Sequence, residues 1–255
     1  MCIQSKKLLV FIILLNNLTV KPLVLENDCN ETNIANGITE NTKSELDITI
    51  GTTDVLAEYY YQTHNDINTV KNHLDNTIKL INENFKNDTE KIIIDVGCGP
   101  GRDVKYFTDN NIKAVGIDLS KSTLDIAKLK VPNAQFFLMD MTKIKFPNLC
   151  FHGIWSCGSF YHIPKKMAAR ALKEFNRILK KRGILFLAIK EGEGEKIISK
   201  EEYNKLPKFY SFYKVNEITK LLEKYGFEVI KINFEKKYDN WINIYALKIG
   251  DICEN

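Results

Sequence analysis

Three glycines at alternate positions, Gly97, Gly99 and Gly101, follow the run Ile92-Ile93-Ile94-Asp95-Val96, and a second apolar run, Val115-Gly116-Ile117, closes on an acid, Asp118. Glycine carries no Cβ, so such a loop can turn at positive φ and bring its backbone against a ligand. An acid at the carboxyl end of the second strand of a βαβ unit is placed to accept both ribose hydroxyls of an adenosine. The pattern therefore predicts a nucleotide site. Its spacing, G-x-G-x-G, departs from the dinucleotide fingerprint G-x-G-x-x-G, in which a third glycine permits close helix packing and the pyrophosphate rests on the helix N-terminus. Arg102 stands where that third glycine would fall. Asp95, two residues before the first glycine, would repel a pyrophosphate and suits a ligand with an ammonium group. NAD is disfavoured.

Together, Asp95-Val96-Gly97-Cys98-Gly99-Pro100-Gly101, Gly116-Ile117-Asp118-Leu119-Ser120 and Phe137-Leu138-Met139-Asp140-Met141 resemble the first three motifs of the class I S-adenosylmethionine-dependent methyltransferases, a resemblance that covers roughly residues 53–250. It implies an α/β fold: a Rossmann-like, doubly wound, mostly parallel seven-stranded sheet with a C-terminal antiparallel hairpin. It also implies S-adenosylmethionine as the cofactor, with no metal. Asp95 and the backbone from Gly97 through Cys98 and Gly99 to Gly101 would serve the methionine moiety, Asp118 the ribose, and Asp140 with Met141 the adenine edge. Arg102, Leu119 and Ser156 fall at the same rim and are counted with the cofactor site. For Asp140 a helix N-cap is the alternative, because aspartate is a favoured cap.

After the fourth predicted strand the chain reads Ser156-Cys157-Gly158-Ser159-Phe160-Tyr161-His162-Ile163-Pro164. Methyltransferases of DNA adenine or of glutamine amide carry an Asn/Asp-Pro-Pro-aromatic run here, and cytosine-C5 enzymes carry a Pro-Cys nucleophile. Neither is present, which argues against base methylation. His162, with Tyr161 beside it, is the candidate for proton transfer, since an imidazole titrates near neutrality and can take a proton from a hydroxyl or carboxylic acid. The alternative is a histidine packed under the helix that begins near Lys165. Of Tyr59, Tyr60 and Tyr61, one or two can face the cofactor, and Tyr60 shares a helix face with His64.

The elements that must hold these residues alternate from Lys91 onward. Strands are expected at 91–96, 113–118, 135–139, 151–156 and 183–189, and helices near 102–110, 122–130 and 165–180, with Lys180-Lys181-Arg182-Gly183 as the last helix's cationic end. Such alternation implies a parallel sheet with helices on both faces, and ligands bind it at the carboxyl ends of the strands, where Asp95, Asp118, Asp140, Ser156 and Lys190 fall. A helix begins at Val55, breaks near His64-Asn65 and resumes from Val70 to Ile81. A helix over 215–225 and strands over 228–235 and 240–249 form the tail. Glu191-Gly192-Glu193-Gly194-Glu195 is expected to be a mobile acidic loop over the pocket, followed by an aromatic wall of Tyr203, Phe209, Tyr210, Phe212 and Tyr213.

The 255 residues suffice for one large α/β domain, expected over 53–250 after an apolar leader (1–25) and a polar linker (26–52). Lys6-Lys7 before the run Leu8 to Leu15 resembles a secretory signal peptide, too short to span a membrane, and leaves the compartment open between secretory and cytoplasmic. Six cysteines, one of them in the leader, have no zinc-site spacing and cannot all pair within the mature chain. Formal charge is +4, falling to +1 without residues 1–25. A nearly neutral domain gives no electrostatic case for nucleic acid. The expected activity is methyl transfer to a small molecule at oxygen or nitrogen. A non-catalytic binding protein of the same fold and an NAD-dependent oxidoreductase are the alternatives.

Overall fold

The computed structural model describes residues 44–236 and 239–250. The apolar leader and most of the expected linker lie outside them. The linker's last residues are helical: α1 spans Glu45–Val55, started by a capping box in which Ser44 accepts from the Asp47 amide and Asp47 accepts from the Ser44 amide. This segment reads as polar because it docks through hydroxyls. Thr52 Oγ1 donates to the Pro207 carbonyl at 2.6 Å, and Thr49 Oγ1 accepts from the Phe209 amide at 3.1 Å.

Helix α2 (Ala57–Thr63), a 3₁₀ turn (Ile67–Thr69) and α3 (Lys71–Asn84) follow, with the expected break at His64. The alternating part then runs β1 (Ile92–Val96), α4 (Arg102–Asp109), β2 (Lys113–Asp118), α5 (Lys121–Lys130), β3 (Gln135–Leu138), β4 (Phe151–Cys157), α6 (Lys165–Ile178) and β5 (Leu179–Lys190). After β5 come β6 (Glu195–Ser199), β7 (Pro207–Ser211), α7 (Val215–Lys224), β8 (Phe227–Lys236) and β9 (Asn240–Lys248).

Seven strands form one sheet in the order β3-β2-β1-β4-β5-β9-β8. The first five run parallel, and β9 pairs antiparallel with both β5 and β8, forming the expected C-terminal hairpin. Strand order reverses between β1 and β4, which opens a crevice at their carboxyl ends. The middle strands are largely apolar and buried because helices cover both faces. Trp155 of β4 stacks on Phe186 of β5 with ring centroids 4.1 Å apart, and Phe107 of α4 meets the Trp155 ring edge-on.

Two expectations are corrected. The run Lys180–Arg182 does not end a helix; α6 stops at Ile178, and the cations lie in the irregular start of β5, where Lys180 pairs with Asp88. The segment from Glu191 is not a loop over the pocket. Gly192 and Gly194 turn it into a second, two-stranded sheet of β6 and β7, with Glu191 bridging to Tyr213, Glu193 paired with Lys214 and Glu195 accepting from the Lys165 amide.

Candidate active site

The loop from Gly97 to Gly101 leaves β1 and folds back on β2, so the amides of Gly97 and Cys98 both donate to the Ile117 carbonyl, at 2.8 and 3.0 Å. Gly97 has φ 78°, and a Cβ there would lie 2.2 Å from the Ser159 Cβ. Ser159 in turn donates to the Val96 carbonyl and shares a 2.8 Å hydrogen bond with the Ser156 hydroxyl. The turn after β4 is thereby locked onto the glycine loop. Gly101, at φ 87°, caps α4, and a Cβ there would press on Ala127 and Phe136 at 3.1 Å. Its role is packing.

Above this loop lies a cavity of about 920 Å³, near the upper end of the range for small-ligand pockets. Among the expected site residues, Tyr60, His64, Gly97, Cys98, Gly99, Arg102, Asp118, Leu119, Met141, Tyr161 and His162 line it. Asp95, Gly101, Asp140 and Ser156 do not. Asp95 is buried at 2 % exposure, and burial together with the nearby Asp103 pushes its carboxyl well above the ordinary range. Successive strand residues face opposite sides, so Val96 meets the cavity and Asp95 lies behind it. Asp140 takes the local role that its residue type allows, but in a turn rather than at a helix: its Oδ1 accepts from the Thr142 amide at 2.7 Å. Met139 stands on the wall with Met141.

Asp118 accepts from the Gly99 amide at 2.9 Å on one oxygen and from the Ser120 amide at 2.8 Å on the other. Burial raises its carboxyl and these amides hold it down. With the Leu119 amide also acting on it, the carboxylate still keeps acceptor capacity for a further donor. Arg102 grips Asp103 at 2.6 and 3.0 Å and donates to the His64 carbonyl at 2.9 Å, tying the end of α2 to the loop. Tyr60 and His64 pack together, as their spacing predicts, with ring centroids 5.1 Å apart. Tyr61 also reaches the wall.

His162 sits in a 3₁₀ turn, Phe160–His162, and its Nδ1 lies 2.7 Å from the Phe209 carbonyl oxygen. A carbonyl cannot donate, so Nδ1 carries the proton and Nε2 the lone pair. Burial, with Lys208 opposing a second positive charge, holds the imidazole well below its usual value. His162 is therefore neutral, with its lone pair at Nε2, on the cavity wall. Tyr161 stacks on Tyr210 at 5.7 Å.

A family model described as a methyltransferase domain matches residues 93–183, from β1 into β5. An uncharacterized methyltransferase of Oceanobacillus iheyensis is 25% identical over 162 residues, which cover 63% of this chain and 67% of that relative. Among solved structures, an S-adenosylmethionine-dependent methyltransferase of Methanosarcina mazei aligns with TM-score 0.59 at 18% identity, covering 64% of this chain and 94% of that one. Residues 93–183 thus match a methyltransferase domain, and the chain is similar in fold to S-adenosylmethionine-dependent methyltransferases. A further solved structure is similar in fold: the 1,6-didemethyltoxoflavin-N1-methyltransferase of Burkholderia thailandensis, bound to its heterocycle and S-adenosylhomocysteine, with TM-score 0.58, 15% identity, and 79% and 88% of the two chains covered.

The residues of this methyltransferase fit the cofactor at the glycine loop. At Gly99 nothing lies within 4 Å of where a Cβ would stand, so the backbone is open to a ligand, and Asp118 is anchored beside it with acceptor capacity to spare. Of the charged residues on the rest of the wall, Lys190 was expected from its place at a strand end and the others were not. Lys190, Lys200 and Lys208 line the cavity together with Glu201, Glu202, Glu235, Asp239 and Trp241. The wall thus carries charges of both signs. Lys190 and Lys200 share Asp239, and Lys190 lies 4.8 to 5.7 Å from the ring centroids of Tyr210, Trp241 and Tyr161. Of the expected aromatic wall, Tyr203 and Tyr210 reach the cavity; Phe209, Phe212 and Tyr213 do not. Alternation along β7 explains the split, since Lys208 and Tyr210 share one face and Phe209 the other.

Proposed function

We propose that this methyltransferase transfers a methyl group to oxygen or nitrogen of a small-molecule acceptor, with His162 as general base. The carrying observation is the lone-pair nitrogen of a neutral, oriented histidine in the same cavity as the glycine loop and Asp118. S-adenosylmethionine, when bound, supplies a methyl group made electrophilic by its sulfonium. The loop backbone at Gly97, Cys98 and Gly99 and the Asp118 carboxylate are the groups to hold it. His162 Nε2 accepts the proton of the acceptor's O–H or N–H, and the Phe209 carbonyl steadies the imidazolium that results. Aromatic side chains around the acceptor end exclude water. The small heterocycle bound by the Burkholderia enzyme supports an acceptor of this size.

Titration calorimetry with S-adenosylhomocysteine tests the cofactor site: Asp118→Ala is expected to weaken binding by about 1.5 to 3 kcal/mol, the worth of hydrogen bonds to a charged group. Binding of NAD with none of S-adenosylhomocysteine would overturn the reading. Incubation of the protein with isotopically labelled methyl donor and a cell extract tests the acceptor. Label is expected in the low-molecular-weight fraction, and its recovery only in nucleic acid or protein would refute a small acceptor.

A further inference from the structure

Of the four cations on the cavity wall, three have carboxylate partners: Arg102 pairs with Asp103, and Lys190 and Lys200 with Asp239. Lys208 has none within ion-pair distance among the described residues. It is 6 % exposed, and among the described residues its Nζ donates to the Tyr60 hydroxyl at 2.8 Å. The ammonium lies 4.7 Å from the centroid of the Tyr60 ring and 5.8 Å from that of Tyr203. Asp118 acts on it only from beyond ion-pair distance; an ammonium buried this far without a directly paired carboxylate is costly, and the cost is returned when a ligand supplies the charge.

We propose that the acceptor bears a carboxylate, seated between Lys208 Nζ and the Tyr60 hydroxyl; the proposal rests on the methyltransferase reading above. A lysine ammonium only donates, so Tyr60 Oη accepts from Lys208, and its own O–H is directed to the Tyr203 hydroxyl. A carboxylate that takes this O–H in place of Tyr203 while pairing with Lys208 meets two donors side by side, which matches its two oxygens. Burial, reinforced by Tyr203 and Tyr210, raises the Tyr60 phenol and keeps it a donor. Burial pushes Lys208 down to about 8, Asp118 opposing and Lys190 adding to the effect; a bound anion would restore the full charge. The aromatic surroundings strengthen a charge-assisted hydrogen bond relative to water. A cationic acceptor seated here would meet the Lys208 ammonium and is selected against.

The probes are 4-hydroxybenzoate, phenylacetate and indole-3-acetate, each against its primary amide, titrated calorimetrically into protein saturated with S-adenosylhomocysteine. At least one acid is expected to bind wild type about tenfold or more tighter than its amide, a difference of about 1.4 kcal/mol. The acid-to-amide ratio should fall toward one in Lys208→Met and persist in Lys208→Arg. Comparing ratios cancels any general loosening of the mutant. Acids that never outbind their amides, or a ratio unchanged in Lys208→Met, would overturn the proposal. So would a large loss of S-adenosylhomocysteine affinity with an unchanged ratio, which would reassign Lys208 to the cofactor's own carboxylate. Absence of S-adenosylhomocysteine binding in wild type speaks to the methyltransferase reading and is read separately, before any acid is added.

Discussion

At the scale of single residues the decisive group is His162, because its hydrogen bond to the Phe209 carbonyl sets both its tautomer and its charge state. His162→Asn is expected to lower kcat by about 100-fold or more while S-adenosylhomocysteine affinity stays near wild type, a split that steady-state kinetics and calorimetry read together. Unchanged turnover would make His162 a packing residue. The base form exists above the imidazole's own value, which burial and Lys208 hold well below 6.5. Activity is therefore expected to be flat through neutral pH on the acid side and to fall only below about 6.5. On the alkaline side Lys208 loses its proton as pH rises through about 8, so kcat/KM for an acidic acceptor should decline there. A pH profile of kcat/KM checks both limbs, and an acid limb centred above neutrality would contradict the assignment.

At the scale of elements, the site depends on how the turn after β4 grips the turn after β1. Gly97→Ala combines a positive φ with a Cβ 2.2 Å from that of Ser159, so both backbone strain and overpacking follow. The expected cost is about 2 to 4 kcal/mol, with loss of S-adenosylhomocysteine binding, readable by denaturant titration and calorimetry. A variant as stable as wild type would show that the contact is loose. Helix α1 illustrates what a sequence hides. Its capping box at Ser44 was a usable signal, yet its docking contacts run through Thr49, Thr52 and Asp54 rather than an apolar stripe. Asp54 accepts from the Ser120 hydroxyl at 2.6 Å and from the Ser122 amide at 3.0 Å, so a helix distant in sequence caps α5. Periodicity reports burial of apolar groups and is silent on docking by hydrogen bonds.

For the whole molecule, the charge argument and the cavity agree on ligand size and differ on ligand charge. The chain carries +4 in all, and its cavity cations Arg102, Lys190 and Lys200 are balanced by carboxylates within the wall. That arrangement suits a small ligand held in a closed space better than a polyanion tracked across a surface. Methyl transfer is accordingly expected to survive high salt and to leave tRNA, rRNA and DNA unlabelled. Salt-sensitive labelling of a nucleic acid at enzyme-like rates would overturn the acceptor class while leaving the fold intact.

The parallel sheet, the C-terminal hairpin, the glycine loop and Asp118 were all legible because each rests on local chemistry: alternation of apolar runs, glycines where a turn needs them, an acid at a strand end. Asp95 and Asp140 were misplaced for a related reason, since a motif gives residue type and position but not which side of the pleat faces the ligand, or which nearby amide claims a carboxylate first. Only the tertiary structure decided the end of the cavity proposed for the acceptor. Lys190 from β5, Lys208 and Tyr210 from β7, Tyr60 from α2 and Trp241 from β9 meet there from four elements far apart in the chain. No spacing encodes that meeting; it arises when β6 and β7 fold over the cavity and α1 pins them in place through Thr52 and Thr49.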